Sequence, residues 1–119
     1  MTYKKPYDLE ERTLVFAKNV RAFVKKLTMT IANMEDGKQV IRSSGSVGAN
    51  YIEANESLSK KDFIMRVKIC RKEAKESCYW LKLIDADNKL DNERNTLLKE
   101  SIELTNIFGS IVRKAEIDR

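Results

Sequence analysis

Residues 43–57 read SSGSVGANYIEANES. The chain on either side of this stretch is patterned as helix, yet these residues hold four serines, two glycines and two asparagines. Val40, Ser44, Val47 and Tyr51 fall on one side of a helical wheel, with Ile41, Gly48, Ile52 and Asn55 beside them. The spacing therefore predicts a helix over about 38–57. Propensity opposes it, because a helical glycine costs about 1 kcal/mol relative to alanine. Tertiary packing must compensate. Gly45, Gly48 and Ala49 are small enough to let a neighbouring backbone come close. Asn50, Glu53, Asn55 and Glu56 are polar, and any of them that is buried needs a partner. Arg66 or Arg71, in the next helical segment, are candidates, while solvation of Glu53 and Glu56 is the plain alternative.

Working outward, a first helix is predicted over about 9–34. Asp8 followed by Glu11 resembles a capping box. Phe16, Val20, Phe23, Leu27, Ile31 and Met34 form one face. Glu35-Asp36-Gly37 then reads as a turn, with Gly37 in a left-handed conformation. A third helix follows Ser59, over about 60–85, with the heptad seam Phe63, Val67, Cys70, Ala74, Ser77, Leu81 and Ile84. A fourth, over about 90–117, buries Leu97, Ser101, Leu104, Phe108, Ile111 and Ala115. Three short connections between four long helices give an all-α, antiparallel up-down-up-down four-helix bundle. Helices of about 25 residues are about 38 Å long, so the expected bundle is tall and narrow. The 119 residues form a single domain in this reading.

Composition narrows the function classes. Histidine is absent, which removes the commonest general base and transition-metal ligand. No phosphate-cradling glycine loop, paired-cysteine motif or nucleophile elbow occurs. These features argue against an enzyme, and no cofactor or metal is expected. Cys70 and Cys78 lie eight residues apart on one helix, about 12 Å along its axis, too far for a disulfide. They are read as small buried hydrophobes. The N-terminal MTYKKPYDLEERT lacks the apolar run of a signal peptide, and no stretch approaches a membrane span. A cytoplasmic location is the default expectation.

The net charge is +5, and its distribution carries more than its size. Residues 60–84 hold eight basic and three acidic residues. Lys61, Lys68, Lys72, Lys75 and Lys82 form a stripe opposite the heptad seam, with Tyr79 among them and no acid sharing the stripe. Lys18, Arg21 and Lys25 make a similar stripe on the first helix. Lysines several turns long suit a nucleic-acid phosphate backbone, RNA or DNA, with no sign of base reading. An ordinary solvated face has the same composition. A second stripe on the third helix, Met65, Ile69, Trp80 and Leu83, has Glu73 and Glu76 among it. It reads as either a wide core or a homo-oligomer interface, with Trp80 as the anchor.

The opening stretch also carries a resemblance. Ser46, Val47, Asn50 and Glu53 stand in an S-V-x-x-N-x-x-E-A pattern, with Gly48 inside it. Phe63, Lys72-Glu73-Ala74, Glu76 and Tyr79-Trp80-Leu81 follow downstream. In these residues the chain resembles the four-helix-bundle proteins called 23S rRNA intervening-sequence proteins, a bacterial family. Some members are encoded within sequences that interrupt 23S ribosomal RNA genes. A related branch is similar to the accessory variability proteins of diversity-generating retroelements. That relative forms a pentameric ring and binds a reverse transcriptase and nucleic acid, and the likeness implies a ring here. One departure is visible: many members carry a proline in the turn before the second helix, where this chain has Met34-Glu35-Asp36-Gly37. Two functions follow. The first is a non-enzymatic oligomeric bundle that offers basic surfaces to nucleic acid. The second is a protein–protein adaptor, for example for a reverse-transcriptase-like partner, with no nucleic-acid affinity of its own.

Overall fold

The computed structural model describes residues 8–118. Four α-helices span them: α1 (Leu9–Lys25), α2 (Ile31–Asn55), α3 (Lys60–Leu83) and α4 (Asp91–Ile117). A single 3-10 turn, Asn88–Leu90, leads into α4.

Cross-helix pairs fix the topology. The start of α1 meets the end of α2 through Glu10 and Asn55, 2.8 Å apart. Their other ends meet at Val24 and Gly37. Arg42 and Ser43 of α2 reach Glu73, Glu76 and Ser77 of α3, whereas Asn50 reaches back to Arg66. Lys68 of α3 pairs with Glu116 at the end of α4. Arg12 of α1 reaches Glu100 and Glu103 on α4, and Lys26 just past α1 reaches Glu93 near the start of α4. Every neighbouring pair is antiparallel, which is the up-down-up-down bundle. α1 and α3 occupy opposite corners, as do α2 and α4.

The core runs the length of the bundle. Phe16, Val20 and Phe23 from α1 meet Val40, Val47 and Ala54 from α2. Val67, Cys70, Ala74 and Leu81 from α3, and Leu97, Leu104, Phe108 and Val112 from α4, complete it. The heptad seam of α3 is buried as read, apart from half-buried Phe63. On α4 the seam closes on Val112, and Ile111 and Ala115 sit at its edge. Small residues mark the α2–α3 contact, where the Ser43 and Ser77 hydroxyls lie 2.8 Å apart.

One boundary differs from the sequence reading. α1 stops at Lys25, and α2 begins at Ile31 and continues through Glu35-Asp36-Gly37 without a break. Gly37 is helical, and no glycine of the described residues has a positive φ. The physical cause lies at Thr28–Asn33. Thr30 caps α2 by accepting a hydrogen bond from the Asn33 N–H at 3.1 Å. The buried Asn33 amide donates to the Thr28 carbonyl at 2.9 Å and to the Asp85 carbonyl at 2.8 Å. Its oxygen accepts from the Asp85 N–H at 3.0 Å. One side chain thus fixes both the α1–α2 and the α3–α4 connections. Ile31 and Met34, read as core, are outside it, and Ile31 is 84% exposed. Gly37 serves packing: a β-carbon there would come within 3.1 Å of Val24 Cγ1.

The bundle measures 49 × 36 × 20 Å. It is broader than the tall, narrow shape read from helix lengths. α1 packs closely on α2 but only lightly on α4, so that seam is splayed and bridged by the ion pairs of Arg12 and Lys26.

Candidate nucleic-acid interface

α3 forms because its ends are capped and its inner face is apolar. Ser59 accepts from the Asp62 N–H at 3.1 Å at the start. At the far end, the Arg94 guanidinium of α4 donates to the Leu81 carbonyl at 3.2 Å and to the Ile84 carbonyl. With the seam facing inward, the 3.6-residue repeat turns the lysines outward. Lys61, Lys68, Lys72, Lys75 and Lys82 are all exposed. Among the described residues, Lys61, Lys72, Lys75 and Lys82 have no carboxylate within ion-pair distance. Lys68 pairs with Glu116 at 3.4 Å. Reading α3 by itself missed that acid, which comes from another helix.

The stripe of α1 does not join the stripe of α3. Lys18, Arg21 and Lys25 are exposed, but their helix lies at the opposite corner. Lys18 and Arg21 instead border a groove over Gly45, Gly48 and Ala49 of α2. The molecule therefore carries two separate basic surfaces.

The motif residues divide by role. Val47 is buried in the core. Gly48 sits against Thr13 of α1, where an added β-carbon would lie 2.7 Å from Thr13 Oγ1. Asn50 donates to the Ser46 carbonyl at 2.9 Å and accepts from Arg66 at 3.1 Å. Arg66 was one of two partners read for this stretch. Glu53 is exposed and borders a groove between the ends of α2 and α3.

The stripe read as an oligomer interface splits in two. Met65 and Leu83 are exposed, and Ile69 and Trp80 are half-buried. Between the two halves lies a polar cluster that sequence reasoning missed. Arg42 of α2 pairs with nearly buried Glu73 at 3.2 Å and with Glu76. The Trp80 indole N–H donates to Glu76 at 3.1 Å, and its ring packs edge-on to Tyr79. The available signal was Glu73 beside the seam positions Cys70 and Ala74, since a carboxylate so near a core needs a cation. Burial pushes the Cys70 thiol up to about 12, so it stays protonated. Cys70 and Cys78 are both buried and free. The described residues contain no cluster of three acidic or cysteine side chains arranged to hold a metal, and no helix long and apolar enough to cross a membrane.

The comparisons with known proteins follow the same outline. One crystal structure, of a protein of unknown function from the S23 ribosomal protein family of Bacteroides thetaiotaomicron VPI-5482, is similar with a TM-score of 0.72 and 27% identity. The match covers 87% of this chain and 97% of that one. No curated protein matches the sequence. The family described as 23S rRNA-intervening sequence protein matches residues 7–110. That span takes in the SSGSVGANYIEANES stretch and the whole of α3, and this chain belongs to the 23S rRNA-intervening sequence protein family.

Proposed function

We propose that the protein is a non-catalytic, self-associating bundle that binds the phosphate backbone of RNA or DNA along the outer face of α3, without reading bases. One observation carries this reading. The basic residues that hold helices together are spent on carboxylates: Arg12, Lys26 and Arg42 are all paired. Lys61, Lys72, Lys75 and Lys82 are exposed and have no such partner among the described residues. From Lys61 to Lys82 the stripe is about 32 Å long, close to one turn of B-form DNA at about 34 Å. Four unpaired ammonium groups along one line suit a polyanion, and counterion release then supplies the affinity.

Anisotropy of a labelled structured RNA and an equivalent DNA, titrated at about 50 and 200 mM salt, tests the reading. Four phosphate contacts predict roughly 100-fold weaker binding at the higher salt. The triple variant Lys72→Glu, Lys75→Glu, Lys82→Glu should abolish the salt-dependent part while circular dichroism stays unchanged. Binding that this variant leaves intact would remove α3 as the site.

A second reading rests on Met65, Tyr79 and Leu83, which are exposed apolar or aromatic side chains on that same helix. They suit an adaptor for a protein partner, such as a reverse-transcriptase-like polymerase. Its signature is salt-insensitive binding that Leu83→Asp removes and the lysine variant does not.

A further inference from the structure

Arg71 was the other partner read for the opening stretch, and its stem lies instead against α4. A β-carbon on Gly109 would meet Arg71 Cδ at 3.6 Å and Arg113 Nη1 at 3.4 Å. Two arginines from two helices therefore converge on one bare stretch of α4 backbone. Gly109 is buried beneath them, Arg71 is half-buried and Arg113 is exposed. The Arg113 guanidinium donates to the Ser110 hydroxyl at 3.2 Å, which steadies that arm. The other described arginines reach oxygens that the fold supplies. Arg12 and Arg42 hold carboxylates, Arg66 the Asn50 amide, Arg94 two carbonyls at the end of α3 and Arg21 the Ala17 carbonyl. Among the described residues Arg71 has no such acceptor, and Arg113 has only Ser110. Acids are missing from both helices here: residues 63–72 and 104–115 contain none. The carboxylates beyond these spans are taken, Glu73 and Glu76 by Arg42, Glu103 by Arg12 and Glu116 by Lys68. Asp62, more than two turns back along α3, borders the groove at the end of α2.

We propose that Arg71 and Arg113 form a two-armed seat for one backbone phosphate of a bound RNA or DNA, at the α3–α4 seam beside the lysine stripe. This rests on the nucleic-acid reading above and gives it a fixed point of contact. Two guanidinium groups held close without an anion repel each other, and a phosphate between them turns that repulsion into attraction. A guanidinium is planar and weakly hydrated, and it meets phosphate oxygens two at a time. An ammonium is a point charge, and it follows a backbone more loosely. The Arg71 stem already rests on Gly109, so fixing it on a ligand costs less rotamer entropy than fixing a free chain. Lys68 lies three residues before Arg71 and Lys75 four after it, so both are its neighbours on the helix surface. A strand seated at Arg71 and Arg113 can thus continue to Lys75 and Lys82 without leaving the basic face. The stripe then supplies the long-range attraction, and the arginines set where the strand crosses toward α4.

The test is a charge-conserving swap in the full chain, read by the same anisotropy titration. Arg71→Lys with Arg113→Lys keeps every positive charge, and with it the salt slope, but removes the forked donors. Affinity for the labelled RNA and DNA should fall about 10-fold at each salt, the loss of roughly one charge-assisted hydrogen bond. Arg113→Lys alone, at an exposed side chain, should give part of that loss with circular dichroism unchanged. Arg21→Lys, at the opposite corner, should give none. Inorganic phosphate at millimolar concentration should show no saturable binding by calorimetry, because a lone ion lacks the contacts of the stripe. Saturable phosphate binding that the arginine pair loses, with nucleic-acid affinity unchanged, would make a free anion the occupant and overturn the proposal. Wild-type binding that the arginine pair leaves at full strength overturns the seat and leaves the lysine stripe standing. A wild type that binds neither RNA nor DNA overturns both. Affinity lost in the arginine pair but kept in the lysine variant upholds the seat and removes the stripe.

Discussion

Gly45 and Gly48 look alike in the sequence, three residues apart in one stretch. Their surroundings differ. A β-carbon on Gly45 would meet only the Arg21 guanidinium, at 3.9 Å. On Gly48 it would meet Thr13 Oγ1 at 2.7 Å and Thr13 Cβ at 3.2 Å. Thr13 is β-branched, and its hydroxyl donates to the Leu9 carbonyl at 2.6 Å, so it yields little. Gly45→Ala should therefore raise stability by about 0.5–1 kcal/mol through helix propensity. Gly48→Ala should lower it by about 1 kcal/mol, because overpacking outweighs the same gain. Thermal melts should move in opposite directions, by about 4 °C each. Cys70 gives a prediction in pH. Its thiol ionises near 9 when unfolded and near 12 when folded. The raised folded value adds stability that is complete below about pH 9 and is lost as pH rises from there toward 12. The slope should be about 1.4 kcal/mol per pH unit within that window. Urea midpoints measured from pH 8 to 10 should fall more steeply for wild type than for Cys70→Ala. Equal slopes would show that the thiol titrates normally. At this scale the sequence reading identified the glycines as packing residues. It could not rank them, because the ranking belongs to Thr13 and Arg21 on another helix.

The helices themselves were legible wherever apolar periodicity and caps agreed. Ser59 at the start of α3 and the seam behind it needed no other information. The α1–α2 boundary failed because two weak turn signals competed. Asp36-Gly37 looked like the stop, and Thr28–Thr30 passed as helix interior. What decided between them was Asn33, whose bonds run to Asp85, 52 residues away. A contact of that range leaves no mark on local pattern. Asn33→Ala should strip the Thr28 carbonyl and both backbone groups of Asp85 of their partner. We expect a loss of about 2 kcal/mol in urea unfolding. Faster amide exchange at residues 84–86 should accompany it. An unchanged midpoint would mean that water replaces the amide at no cost. The α3 lysine stripe was readable for the same reason as the seam, since both are periodicities of one helix. Its separation from the α1 stripe, and the ion pair to Glu116, depend on which helices are neighbours.

The whole molecule is tightest across α2, α3 and α4 and loosest between α1 and α4. That last seam relies on Arg12 with Glu100 and Glu103, and on Lys26 with Glu93. The carboxylates raise the affinity of the Arg12 guanidinium for its proton, chiefly through the hydrogen bond to Glu100. Partly exposed pairs of this kind contribute about 0–1 kcal/mol each and weaken with salt. Amides of α1 should therefore exchange faster in 0.5 M than in 0.05 M sodium chloride, while those in the middle of α3 should not. Uniform exchange across α1 and α3 at both salts would show that the seam is held by packing instead. The same seam orders assembly of the fold. Its partners are 67 to 91 residues apart, so the largest loop in the chain must close to bring them together. Contacts within α2, α3 and α4 are nearer in sequence and form at lower entropic cost. Among these four helices, the contacts that seat α1 against α4 are thus the costliest in chain entropy to close.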